Sequence, residues 1–167
     1  TLATKPLPKP MLDGVAVTHY SRKQGKHNLY YIGGAENLGV ATDSLVFKYD
    51  FDTAAWTAIK LWGTDKIDIN FGISTVSASN ANRRTQVAAC SWGDEIFIFG
   101  GYRSANTNAA IAFNPDTGKY RTLTGVSGTA LISPTAVPYG PFIFLIDGST
   151  AHSGTSGTAV NVLRYKP

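Results

Sequence analysis

Short apolar runs, each ended by glycine, set the rhythm of this chain. The fullest example lies in residues 94–123. Ile96, Phe97, Ile98 and Phe99 are β-branched and aromatic residues that stop at Gly100 and Gly101, the pattern of a strand ending where the backbone needs positive φ or a close approach. A polar loop follows, then a second strand over 110–113 and a turn predicted by Pro115 and Gly118, and a third strand over 120–123. Residues 85–91 add a strand ahead of the unit. The order is strand, turn, strand with Gly-Gly, loop, strand, turn, strand.

That order recurs on both sides in damaged form. Ahead of it, 15–20 predicts a strand, 21–28 a polar hairpin loop, 29–32 a strand running into Gly33-Gly34, 45–49 a strand, 50–54 a turn and 56–61 a strand. Behind it, the segment from Ser133 predicts a strand and turn, 141–146 runs into Asp147-Gly148, and a Ser/Thr/Gly loop leads to a strand closing at Tyr165, with no fourth strand after it. Residues 62–84 break the rhythm, and their alternation of Ile67, Ile69, Phe71 and Ile73 with polar residues predicts an extra edge strand or hairpin arm. No long window carries a helical period of 3.6.

Two marks measure the period. The second glycine falls at Gly34, Gly101 and Gly148, steps of 67 and 47 residues, and the aromatic closing the third strand falls at Tyr49, Phe113 and Tyr165, steps of 64 and 52. With roughly 15 extra residues set aside in 62–84, both marks approach the ~50 residues of a kelch repeat. A second aromatic follows seven residues after the first, Trp56 after Tyr49 and Tyr120 after Phe113.

In this order of motifs the chain resembles the kelch family over nearly its whole length. The departures are Asp147 for a glycine, Tyr120 for the usual tryptophan, and Arg84 alone of the usual arginines. The resemblance implies an all-β fold of about three kelch-type β-propeller blades, each of four antiparallel strands, forming half or part of a closed propeller. It divides the chain into an outer strand and link over 1–12, blade one over 13–61, an insertion over 62–84, blade two over 85–131, and blade three, without its outer strand, over 132–167. An ordinary antiparallel sandwich is the competing fold. Since propellers use about four to eight blades, the expectation is a fragment of a longer propeller, a partner chain, or two copies joined head to tail, with residues 1–5 of one completing the last blade of the other.

Composition agrees with a turn-rich β protein: 43% hydrophobic, 16% charged, 17 Gly and 8 Pro in 167 residues. The net charge of +4 is too small to indicate nucleic acid unless concentrated. One cysteine excludes an internal disulfide and a zinc site of several thiolates. No apolar run approaches the roughly 20 residues of a membrane span. The cytoplasm is the first expectation for the compartment, and a mature secreted chain without its leader is the other.

In kelch propellers the loop after the Gly-Gly strand and the link between blades open on one face, which often binds ligands. Here that implies Trp62, Arg83, Arg84, Tyr102, Arg103 and Asn106 as binding residues, the arginines offering a planar fork to an anionic group. On the opposite face, Arg22, Lys23, Lys26 and His27 concentrate positive charge, but no aromatic platform is expected beside them for nucleic-acid bases. No catalytic constellation emerges. The three histidines lack metal-ligand spacing, His19 and Cys90 read as core, and Asp65 and Asp68 carry no sign of burial. The Tyr, His and cysteine-crosslinked Tyr of the family's copper radical oxidases are not matched, and no cofactor or metal is expected. The reading is a non-enzymatic module binding a protein or peptide, with a glycan-binding propeller or a structural subunit that completes a ring or polymer as alternatives.

Overall fold

The computed structural model describes residues 5–8, 11–35, 46–59, 86–101, 110–123, 131–150 and 162–167. Within them the chain forms three antiparallel sheets and no helix. The first contains β1 (Leu12–Ser21), β2 (Lys26–Ala35), β3 (Val46–Asp50) and β4 (Ala55–Ala58), the second β5 (Ala88–Trp92), β6 (Glu95–Phe99), β7 (Ala110–Phe113) and β8 (Tyr120–Leu123). The third contains β9 (Thr135–Tyr139), β10 (Phe142–Ile146) and β11 (Val162–Tyr165). Every strand pairs with its sequence neighbour, so each sheet is a meander. The first hairpin is longer than its polar composition suggests: Ser21 pairs with Lys26, and only residues 22–25 turn. Ser21 and Asn28 stay in strand there, buried, because side chains replace solvent as their partners: the Ser21 hydroxyl donates to Asp116 and the Asn28 amide to Gln24.

The seven-residue spacing of aromatics has a direct cause. Tyr49 lies opposite Trp56 and Phe113 opposite Tyr120 across hairpins, with the Tyr49 and Trp56 rings 5.0 Å apart. The two turns share one construction. Asn114 Oδ1 accepts hydrogen bonds from the N–H groups of Asp116 and Thr117, at 2.9 and 3.0 Å. Asp50 Oδ1 does the same for Asp52 and Thr53, at 2.9 and 3.2 Å.

Both residues of each glycine pair take positive φ: 71° and 88° at Gly33 and Gly34, near the end of β2, and 61° and 103° at Gly100 and Gly101, directly after β6. A Cβ on Gly100 would collide with the Leu131 carbonyl oxygen. The third blade reaches the same backbone with Asp147 at φ 62° and Gly148 at 103°, aspartate being among the side chains that tolerate the left-handed region.

Sheets stack face to face in chain order. β1 lies against β5 and β5 against β9. Between the first two sheets, Val17, Tyr30, Ile32 and Val46 pack on Ala89, Ile96, Ile98, Ile111 and Phe113. Between the second and third, Cys90, Phe97, Phe99 and Ala110 pack on Ile143 and Leu145, with Ala136, Leu163 and Tyr165 at the margin. Each sheet therefore has a forward face toward the next and a backward face toward the one before. This is how propeller blades pack.

Candidate functional site

The six binding residues expected from the sequence, Trp62, Arg83, Arg84, Tyr102, Arg103 and Asn106, lie outside the described residues. So do residues 1–4 of the segment expected to complete a neighbouring blade; the backbone carbonyl of Lys5 accepts a hydrogen bond from the Trp56 indole N–H at 3.0 Å.

At the hairpin end of the blades, the basic cluster is matched by carboxylates. Arg22 pairs with Asp94 at 2.6 Å across the first joint. Lys26 reaches both Asp50 and Asp52, at 2.8 and 2.6 Å. Those contacts raise the lysine, the Asp50 hydrogen bond most, and hold Asp50 near about 2. Lys48 Nζ donates to Gln24 Oε1. An aromatic does stand beside this cluster, contrary to the sequence expectation: the Tyr20 ring meets His27 edge-on at 5.1 Å, and Tyr20 is 47% exposed. It escapes a linear reading because β1 extends past Tyr20, and residues Tyr20 and His27 face each other as partners in the ladder.

Beneath this rim the first joint holds buried polar groups. His19 is buried and its Nδ1 lies 2.8 Å from Ser91 Oγ on the next blade. Burial pulls His19 below the ordinary 6.5, partly offset by the charges of Asp116 and Asp94, while His27 adds to the lowering. The Ser21 hydroxyl donates to Asp116 Oδ1, and the Lys23 N–H donates to Asp116 Oδ2 at 3.0 Å. Burial, the largest single influence, would raise Asp116; these two hydrogen bonds together with the charges of His19 and Lys23 outweigh it and leave the carboxyl below its usual range. Asn28 donates to Gln24 Oε1 at 2.9 Å, and its own Oδ1 receives no hydrogen bond. Burial, with the charge of Asp116, pushes Tyr30 up to about 12.

Sequence reading passed over one further set. Asp13, Gln86 and Ser133 stand at the entry to the three blades, all with positive φ (58°, 60° and 52°). The Gln86 N–H donates to the Asp13 carbonyl at 2.9 Å, and the Ser133 N–H to the Gln86 carbonyl at 2.8 Å. These bonds stitch each blade entry to the one before. No composition signal marks them, because none of the three is glycine.

Among the described residues no group of His, Cys, Asp and Glu is arranged to hold a metal, and no helix is long and apolar enough to cross a membrane. No curated protein matches the chain. Residues 83–127 match the family model of the kelch motif, a span that includes β5–β8 and the glycine pair after β6. The match to the kelch motif covers the central sheet, and the three antiparallel sheets, stacked forward on backward, are consistent with blades of a partial kelch propeller.

Proposed function

We propose that the chain is a non-enzymatic interaction module that recognises a protein or peptide through the connections at the glycine-pair end of its blades. The kelch motif over 83–127 carries this reading, since kelch repeats build propeller modules that generally bind proteins and generally do not catalyse. Electrostatics favours the same end. At the opposite end Arg22 and Lys26 already meet carboxylates of the chain itself. Tyr102, Arg103 and Asn106 follow the glycine pair of β6 directly, and Arg83 and Arg84 precede β5.

The test uses whichever partner an affinity capture recovers. Replacing Arg83 and Arg103 together by alanine is expected to weaken its binding at least about tenfold, the worth of one lost charged hydrogen bond. Arg22→Ala at the other end is expected to leave binding unchanged. Unchanged affinity in the double variant moves the site off the glycine-pair end. Retention of a defined oligosaccharide on a glycan array, blocked by Trp62→Ala or Tyr102→Ala, replaces the protein partner by a sugar.

A further inference from the structure

The two internal joints differ at one equivalent position. His19 stands six residues after the stitched entry Asp13, and Trp92 six residues after the entry Gln86. Each reaches forward to the next blade: His19 Nδ1 lies 2.8 Å from Ser91 Oγ, and the Trp92 indole N–H donates to the Gly140 carbonyl at 3.1 Å. An indole N–H does not titrate over the pH range of folded proteins, whereas an imidazole takes up a second proton near neutrality.

Their ladder partners differ as well. Trp92 lies opposite Glu95, whose carboxylate is paired with Arg121 at 2.7 Å. His19 lies opposite Asn28, which is fully buried. Lys48 Nζ donates to Gln24 Oε1 at 2.9 Å, which fixes that oxygen as the acceptor for Asn28 Nδ2, also at 2.9 Å. The Asn28 amide is therefore held in one orientation, and its Oδ1 is left buried without a hydrogen bond. Closing the first joint withholds water from this oxygen, and opening it would return that water.

The surroundings of His19 do not offset its burial. Burial acts on it most strongly and opposes the charged ring. Asp116 and Asp94 of the second blade act the other way, but each is already engaged: Asp116 by the Ser21 hydroxyl and the Lys23 N–H, Asp94 by Arg22 at 2.6 Å. From its own blade, the charge of His27 opposes a proton on His19, and the Tyr30 ring stands edge-on at 6.1 Å. The closed joint therefore prefers the neutral imidazole. No histidine among the described residues stands in the second joint, whose centre is filled by Phe97, Phe99, Ile143 and Leu145. Its Cys90 is lifted by burial to about 12 and stays a thiol, and Glu95 and Arg121 pair with each other at its rim.

We infer that the joint between the first and second blades is an acid-opened seam: protonation of His19 parts these two blades while the second and third stay packed on each other. The open form gives water to the imidazolium and to Asn28 Oδ1 together. It uncovers Val17, Tyr30 and Ile32 on one side and Ala89, Ile98 and Phe113 on the other. The sign is fixed by linkage: the open form binds the proton better, so the opening ratio rises as pH falls below the ordinary histidine value, by at most about tenfold per pH unit.

The experiment is thiol labelling of the whole chain with a disulfide reagent. Each rate is divided by that of the same variant unfolded in denaturant at the same pH, which removes the pH dependence of the thiolate. Val17→Cys combined with Cys90→Ala places the single thiol in the first joint, and the wild-type chain carries its single thiol in the second. Between about pH 7.5 and 5 the first-joint thiol is expected to label severalfold faster, with a ceiling of about thirtyfold, while Cys90 of the wild type changes less than about twofold. His19→Gln, added to the first-joint reporter, keeps a hydrogen-bonding group beside Ser91 and is expected to remove the rise; His27→Gln is expected to keep it. Ala89→Cys with Cys90→Ala, also in the first joint, serves as the reporter if the far-ultraviolet spectrum shows that Val17→Cys unfolds the chain. A first-joint rate that does not change with pH overturns the inference. So does a rise that persists in His19→Gln or vanishes in His27→Gln. Equal acceleration at both joints overturns it too, because acid is then loosening the whole chain and not one seam.

Discussion

The two internal joints of the stack do the same work with different chemistry. The first combines an apolar centre with a polar margin of His19, Ser91, Ser21 and Asp116, and it buries an Asn28 oxygen that receives no hydrogen bond. The second is dry. Phe97 and Phe99 stack at 6.3 Å and meet the Tyr165 ring at 6.4 and 6.0 Å, with Cys90, Ala88 and Ala112 filling the gaps. Apolar burial gives the second joint most of its strength, with little dependence on pH. The first gives up some of that gain for groups whose partners and charges must be right, which makes it the more selective and the more acid-sensitive of the two.

The largest effect is expected from emptying the dry joint. Phe97 is fully buried, and Phe97→Ala is expected to cost about 3 to 5 kcal/mol, the usual range for a buried aromatic. A denaturant titration reads this, and a loss below 1 kcal/mol, a small fraction of that range, would show that the joint is not the close-packed element described. Acid comes next and should act on the other joint. His19 is held below the ordinary histidine value in the folded chain, so its neutral form contributes stability that is complete above about 6.5 and is lost as pH falls through the folded value. Asp116, lowered as well, stays charged through that window and keeps its hydrogen bonds from Ser21 and Lys23. The melting temperature is expected to drop between roughly pH 7 and 5, and His19→Gln should flatten that part of the profile. An equal drop in the glutamine variant would assign the acid response elsewhere. The smallest effect belongs to the rim of the dry joint, where Arg121 pairs with Glu95 at 2.7 Å and lies 5.6 Å from the centre of the Phe97 ring. Its side chain is 48% exposed, so Arg121→Met should change stability by less than about 1 kcal/mol.

How much of this could be read beforehand differs by level. The blade was legible because its marks are local: glycine pairs report positive φ, and a seven-residue aromatic interval reports a tight hairpin. Asp147 looked like a departure, yet its backbone matches Gly33 and Gly100, so the motif tolerates residues that a glycine count rejects. The joints were less legible, since pairing His19 with Ser91 or Ser21 with Asp116 requires knowing which strand faces which neighbour. The entries at Asp13, Gln86 and Ser133 were hidden altogether, their role being carried by backbone groups that every residue shares. For the predicted loop residues, the sequence offered composition and position in the repeat, which say where a site could sit and not what it holds.

The dry joint also contains the chain's one cysteine. Cys90 is buried, and that burial alone lifts its thiol to about 12, so almost no thiolate forms while the second and third blades stay packed. An alkylating reagent added to the native chain can react there only when that seam parts. The protein therefore carries its own stopwatch: the rate at which Cys90 is labelled times the opening of one joint, and the other joint, having no thiol, leaves no trace in the signal.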